Sequence, residues 1–349
     1  VFLCHAIESQ NLIQEVIFKM MRIILIVSLL WASFTSGSIA FATENPAPPF
    51  QVEEHRKILY MQTSAFSHIP WEYLAAIDQY ERTLQKSPAS PIAIDISERK
   101  WSGWLNPQEN DTHPKSIQFF DGLGRDGSGD GIADRKNDAD ILQAIAAWIL
   151  KFGMHEHDIQ IAMWEYYGHS RAVQRISQFA KIYAEHGTLN FQQNVFPLPI
   201  KAHYTYRGTW GAARGWGGRR IHEGTDIFAG YGVPVRSVSY GVIETIGWNV
   251  YGGWRIGIRD IHNVYHYYAH LAGFQKTLRE GDVVKAGSII GWVGSSGYGK
   301  PGTSGKFPPH LHYGTYRDHG QSDWAFDPYP KLRANERLEK QARGKSVQH

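Results

Sequence analysis

His310-Leu-His-Tyr-Gly-Thr-Tyr316 is rich in residues that favour extended backbone, and on extended backbone every second side chain shares a face. His310 and His312 therefore point the same way, with Leu311 opposite. Upstream stands His222-Glu-Gly-Thr-Asp226, where Gly224 lets the chain turn so that an imidazole and a carboxylate converge. His270, at the end of Tyr267-Tyr-Ala-His270, lies between the two. Imidazole is a borderline ligand and carboxylate a hard one. With Cys4 the only cysteine, the mixture suits Zn2+ in a hydrolytic site better than a structural thiolate site. His-x-His alone is a weak signal in a chain with 17 histidines. Both motifs together with His270, in glycine-rich surroundings, predict a metal centre with a position left open for water.

Around these motifs the texture is β. Short runs at 233–238, 242–246, 255–259, 264–270, 288–293 and 310–316 are separated by glycines, which predicts an antiparallel sheet or sandwich bearing a groove over residues 200–330. The preceding part is helical. Pro70 opens a helix carrying Tyr73, Ile77, Glu81 and Leu84 near one face. Ile141, Leu142, Ile145, Trp148 and Ile149 form a second apolar stripe; Val173, Ile176, Phe179, Ala180 and Tyr183 form a third. The expected architecture is α+β and multidomain: a helical domain over 46–187, a linker over 188–199, the β domain over 200–330 and a polar tail over 331–349. The tail reads as a frayed helix and coil.

The C-terminal part resembles the lysostaphin/LytM-type zinc endopeptidases of peptidoglycan. HEGTD with Ile227-Phe-Ala229 carries the resemblance, with GVPV at 232–235, GVIETIGW at 241–248, YAHL at 268–271, GDVVKAGSIIGWVGSSG at 281–297 and PHLHYG at 309–314. HEGTDIF and KFPPHLHY are most similar to the sporulation-associated cell-wall peptidases of bacilli that cut L-Ala–D-Glu. The resemblance implies a Zn2+ cofactor with His222, Asp226 and His312 as ligands, and it implies that His270 and His310 stand beside the metal without binding it. Histidine titrates near neutrality, so those two suit proton transfer. The segment from Tyr298 to Pro308 is longer than the family's usual link, which bears on cleft shape and bond specificity. Glu223 neighbours His222 but points to the opposite face of an extended segment, which argues against it as the base. His266 shares a strand face with Tyr268 and His270 and is expected to line the site, to orient His270 or to serve the core.

The helical part is similar to the lysozyme-like fold of lytic transglycosylases, through Trp71–Glu81, GRDGSGDGIAD at 124–134 and IQIAMWEYYGHSRAV at 159–173. That resemblance implies Glu81 as the glycosidic acid, although the family's Gly-Pro-Met-Gln-Phe segment is absent. Within 124–134, Asp126, Ser128 and Asp130 alternate as in a calcium loop, but Asn137 stands where a bidentate glutamate is usual. The competing reading is a polar turn before a helix capped by acidic residues.

A net charge of +3 and the lack of a basic run argue against a nucleic-acid partner. Residues 20–42 have the form of a signal peptide: Arg22, an apolar core from Ile23 to Trp31, and Ala40-Phe-Ala42. Residues 1–19 would then lie upstream of the start. The core is too short for a comfortable membrane span, and the compartment expected is secreted, at the cell wall, with peptidoglycan as partner. The sequence sets no oligomeric state. The function expected is a secreted zinc metalloendopeptidase. The alternatives are a metal-free LytM-like binding or activator module and a bifunctional peptidase and transglycosylase. GDVVKAGSIIG also resembles a biotinyl- or lipoyl-carrier hairpin, but no modifiable lysine sits at a tight tip.

Overall fold

The computed structural model describes residues 49–85, 90–215, 220–318 and 322–346. The signal-peptide segment 20–42 and Cys4 lie outside these residues. Residues Pro48–His349 form one compact unit.

The helices are α1 (Pro49–Ser67), α2 (Trp71–Leu84), α3 (Glu98–Ser102), α4 (Pro114–Phe119), α5 (Asp138–Leu150), α6 (Glu156–Tyr167), α7 (Ser170–His186) and α8 (Tyr329–Ser346). The three stripes read from the sequence fall on α2, α5 and α7. Leu74, Ile77, Ile141, Leu142, Ile145, Ile149, Ile176, Phe179 and Tyr183 are all buried in one cluster. Helix α7 ends at Gly187, whose φ of 62° allows the left-handed turn that closes a helix. The loop 126–134 is a turn whose carboxylates accept backbone N–H groups. Asp126 takes Gly129 and Gly131, and Asp140 takes Gly127, Ser128 and Asp134. Asn137 caps α5 through the N–H groups of Ala139 and Asp140.

The strands are β1 (Tyr204–Tyr206), β2 (Ala213–Arg214), β3 (Arg220–Ile221), β4 (Thr225–Ala229), β5 (Pro234–Arg236), β6 (Gly241–Asn249), β7 (Gly253–Asp260), β8 (Val264–Phe274), β9 (Val283–Val284), β10 (Ile289–Val293), β11 (His310–Asp318) and β12 (Asp323–Phe326). They form an antiparallel sheet in the order β1-β4-β11-β8-β7-β6-β9. β10 bridges β5 and β8, β12 flanks β11, and β2 and β3 form a separate hairpin. The expected antiparallel sheet is present, and β1, β4, β9, β12 and the β2–β3 pair are strands that local pattern did not reveal. They are short and are held by long-range pairing rather than by propensity.

Strand alternation divides the sheet's two faces between two cores. Ile243 packs with Ile227, Ile256, Ile258, Tyr268, Leu271, Ile290 and Leu311 in the sheet's own core. Its neighbour Val242 joins the helical core instead. Helix α7 lies against β6, and polar groups fix it there. Arg175 is 3 % exposed and pairs with Glu244 on β6 and, at 2.7 Å, with Asp318 on β11. Arg259 reaches the same Glu244 at 3.2 Å and Asp323 at 3.3 Å. The Gln79 side-chain amide donates to the Ile261 carbonyl at 2.9 Å. The segment after Pro328 is a continuous helix rather than a frayed tail, because α8 buries Leu332, Asn335 and Glu336. Glu336 accepts hydrogen bonds from the hydroxyls of Tyr204 and Tyr206 on β1.

Removing one partner of a buried ion network leaves the others unpaired in a low-dielectric setting. Arg175→Met is expected to lower unfolding stability by about 3 kcal/mol, measured by urea denaturation. A change below about 1 kcal/mol would show that this network behaves as a solvated surface pair.

Candidate metal centre

β4 and β11 pair with Asp226 directly opposite His312 and Phe228 opposite His310. Side chains of directly opposed residues share a face, so Asp226, His310 and His312 all emerge on one side. Ile227, Leu311 and Tyr313 go to the core on the other. His222 precedes β4 and reaches the same side.

His222 Nε2, Asp226 Oδ1 and His312 Nδ1 form a near-equilateral triangle with edges of 3.1, 3.0 and 2.9 Å. His222 Nδ1 lies 2.9 Å from the Thr209 carbonyl. A carbonyl only accepts, so Nδ1 carries the proton and, in the neutral ring, Nε2 presents a lone pair to a carboxylate oxygen. Lone pairs facing one another at this distance repel unless a cation lies among them. Two ligands on one tetrahedral zinc, each bound at about 2.0–2.1 Å, stand about 3.3 Å apart, so the triangle is close to that size. The donor set thus fits Zn2+. Among the described residues these three make up the group able to hold a metal ion. Burial would raise the Asp226 pKa, but when the His222 and His312 rings donate N–H hydrogen bonds and carry positive charge they outweigh it and hold the carboxyl well below the usual carboxylate range. Burial pushes His312 down against the pull of Asp226.

Gly224 serves a purpose different from the one its position suggests. Its φ is not in the left-handed region; what it supplies is space. A Cβ there would stand 2.6 Å from His312 Cε1 and 2.7 Å from the Tyr313 carbonyl oxygen.

His310 and His270 stand beside the triangle. His310 Nδ1 donates to the Pro308 carbonyl at 2.7 Å and His270 Nδ1 to the Ser296 carbonyl at 2.8 Å. Each Nε2 is left as the available atom. His310 Nε2 lies 4.0 Å from Asp226 Oδ1, and the two rings are 4.7 Å apart between centroids. Burial, then the neighbouring His310 and His312, push the His270 pKa down to about 3.

His270 reaches this side because strand alternation fails there. On β8, Tyr268 lies opposite Tyr313 and His266 opposite Thr315. Tyr268 and Tyr313 belong to the core side, and strict alternation would send His270 the same way. Instead its φ is 61°, and the pairing of β8 with both β7 and β10 shifts register around it. A bulge of this kind re-aims a side chain. Ser296 pins it, with its hydroxyl donating to the Leu271 carbonyl at 2.6 Å and accepting from the Trp254 N–H at 3.0 Å. Tyr298 stacks on the His270 ring at 5.4 Å. The shared face expected for His266 and His270 is therefore corrected. His266 is a core residue bound to Asp260 at 2.9 Å and to the Tyr313 hydroxyl at 2.7 Å. Glu223 lies at the cleft beside Tyr316 and accepts a hydrogen bond from its hydroxyl.

Sequence reasoning missed Arg214, whose guanidinium pairs with Asp226 Oδ2 and leaves Oδ1 to the triangle. It also missed the backbone carbonyls of Thr209, Ser296 and Pro308. None carries a local signal, since each acts through a contact made by folding. The site opens into a cleft of about 460 Å³ lined by Arg214, Arg220, Tyr251, Tyr267, Tyr298 and the four histidines, among others.

Residues 220–324 match the model of peptidase family M23. The chain is 53% identical over 292 residues to the L-Ala--D-Glu endopeptidase of Bacillus subtilis (strain 168), covering 82% of this chain and 90% of that one. It is 39% identical over 116 residues to lysostaphin of Staphylococcus staphylolyticus, covering 33% of this chain and 22% of that one. Among solved structures, the catalytic domain of lysostaphin from Staphylococcus simulans is 35% identical, covering 38% of this chain and 92% of that one, with a TM-score of 0.31. The protein is thus a peptidase. It belongs to peptidase family M23.

Gly224→Ala tests the packing argument. The added methyl is expected to displace His312 and weaken Zn2+ binding at least about 10-fold, read by chelator competition, while circular dichroism stays native-like. If glycine served only to ease a turn, alanine at this φ would bind Zn2+ normally.

Proposed function

We propose that this protein is a zinc endopeptidase that hydrolyses peptidoglycan stem peptides at the L-Ala–D-Glu bond, outside the cytoplasmic membrane. The observation that carries the reading is the His222–Asp226–His312 triangle, with His270 and His310 beside it and their Nδ1 atoms bound to backbone carbonyls. Zn2+ held by the three would lower the pKa of a water to about 7 and polarise a substrate carbonyl.

The chain's own residues do the rest. Arg214 holds the second Asp226 oxygen, which fixes the orientation of the first. His270 and His310, their tautomers set by backbone carbonyls, take a proton from the attacking water and return one to the leaving amine. His270, pushed down to about 3, is neutral across the neutral range and offers a lone pair there; once protonated it gives up the proton readily. The cleft walls of Tyr251, Tyr267 and Tyr298 supply aromatic surface for an extended peptide. Substrate and bond are supported by the relative named L-Ala--D-Glu endopeptidase, which matches most of both chains. An extracytoplasmic setting is supported by the signal-like segment 20–42. Among the described residues no helix is long and apolar enough to cross a membrane. The complete donor set weighs against the metal-free module.

A second activity is favoured by one observation. The Glu81 carboxylate, its pKa raised by burial, accepts a 2.7 Å hydrogen bond from the Tyr167 hydroxyl. A carboxyl protonated at higher pH than usual can act as an acid on a glycosidic oxygen. Anhydro-muramyl products that disappear in Glu81→Gln would establish it.

For the peptidase, digestion of intact peptidoglycan is expected to yield new D-Glu amino termini, found by mass spectrometry. Zn2+ should copurify at one ion per chain. His310→Ala should keep the zinc and lose at least about 100-fold in rate. Full activity in His310→Ala, or an isolated protein unable to take up zinc, would defeat this reading.

A further inference from the structure

The cleft carries a cation that the mechanism above does not use. Arg214 and Arg220 are register partners across the β2–β3 hairpin, and both line the cleft. Arg214 is committed to Asp226. Arg220 is two residues before His222, and on extended chain that spacing places the two side chains on one face. Its guanidinium is exposed and lies 5.1 Å from the centre of the Tyr251 ring. Tyr251 itself belongs to the opposite wall, since the adjoining Gly252 carbonyl accepts the His270 N–H at 2.7 Å. Arg220 thus spans the mouth of the cleft, from the His222 side to the His270 side. Among the described residues no carboxylate pairs with it. The other exposed charge nearby, Glu223, is turned to Tyr316.

The substrate chemistry asks for a cation at such a place. In an L-Ala–D-Glu stem peptide the D-Glu residue continues the chain through its γ-carboxyl. Its α-carboxylate is therefore free and sits on the carbon bonded to the scissile nitrogen. Any pose that brings the scissile carbonyl to the histidine–aspartate triangle brings an anion within one residue of it. A guanidinium resting on an aromatic face is only partly hydrated and presents a planar fork that matches a carboxylate.

We propose that Arg220 is a specificity-determining residue that binds the free α-carboxylate of the D-Glu residue on the leaving side of the scissile bond, with Tyr251 as the platform that holds the guanidinium over the cleft. The assignment rests on the L-Ala–D-Glu reading. It makes the enzyme selective for stem peptides whose D-Glu α-carboxyl is free over those in which it is amidated to D-isoglutamine.

Two synthetic stem peptides that differ only at this group test it. Wild type is expected to favour the free acid in kcat/KM by about 10- to 100-fold, the range for a charge-assisted contact. Arg220→Gln should lower kcat/KM on the acid far more than on the amide, so that the preference collapses. Arg220→Lys, which keeps the charge but not the fork, should retain part of it. Equal cleavage of both peptides by wild type, an undiminished preference in Arg220→Gln, or a loss of the same factor on both peptides would overturn the assignment. Mass spectrometry of the wild-type products separates this from a failure of the underlying reading. A cut at a different bond refutes the L-Ala–D-Glu reading, whereas a cut at that bond without the Arg220 effect refutes only Arg220.

Discussion

The structure is organised around one electrostatic constraint: three atoms of metal-ligating type held about 3 Å apart on one face of an antiparallel sheet. Left alone, a carboxylate oxygen and bare imidazole nitrogens repel, so the fold must hold them together against that repulsion. It does so with backbone. The β4–β11 ladder fixes Asp226 opposite His312, the Thr209 carbonyl fixes the His222 tautomer, and Arg214 neutralises the outer carboxylate oxygen. The stability of the sheet and its burial against the helices supply the rigidity. The Arg175–Glu244–Arg259 network lies on the helix-facing side of the same sheet and ties α7 to β6 and β11. Site and scaffold therefore share β11.

The second constraint is local strain. A non-glycine residue at φ 61° costs on the order of 1 kcal/mol or more, and His270 bears it in the middle of β8. The bulge places a second imidazole beside His310 without adding a loop. Ser296 offsets the cost by satisfying groups that the interrupted ladder leaves open on both sides of the bulge, and Gly253 leaves room for it. A Cβ at Gly253 would stand 2.3 Å from Ser296 Oγ. Function and strain coincide here: a residue with an unfavourable backbone conformation stands beside the His222–Asp226–His312 triangle.

Much of the β region was legible because its strands are amphipathic and glycine-bounded. The runs at 242–246, 255–259 and 264–270 fall within β6, β7 and β8. The strands that escaped notice, β1, β4, β9, β12 and the β2–β3 pair, are short and pattern-poor and exist through their partners. The same limit applied at the site. His222, Asp226 and His312 could be picked out as metal-seeking residue types, and the structure brings them together. Arg214 could not be picked out, since an arginine in Ala-Ala-Arg-Gly has no spacing relation to Asp226 until β2 folds over the cleft. The face shared by His266 and His270 was misread because period-two reasoning has no term for a bulge.

By itself, then, the sequence determined the donor chemistry, the antiparallel sheet and the helical stripes, since these follow from side-chain type and short-range periodicity. Only the tertiary structure decided which nitrogen of His222, His270 and His310 is free, which face His270 occupies, why residue 224 is glycine and which arginine is spent on Asp226. Those properties depend on contacts between residues distant in the chain: a carbonyl from a loop, a register shift shared with β7 and β10, a ring packed against a backbone. No local pattern encodes them, because each is a distance fixed only when the strands have paired.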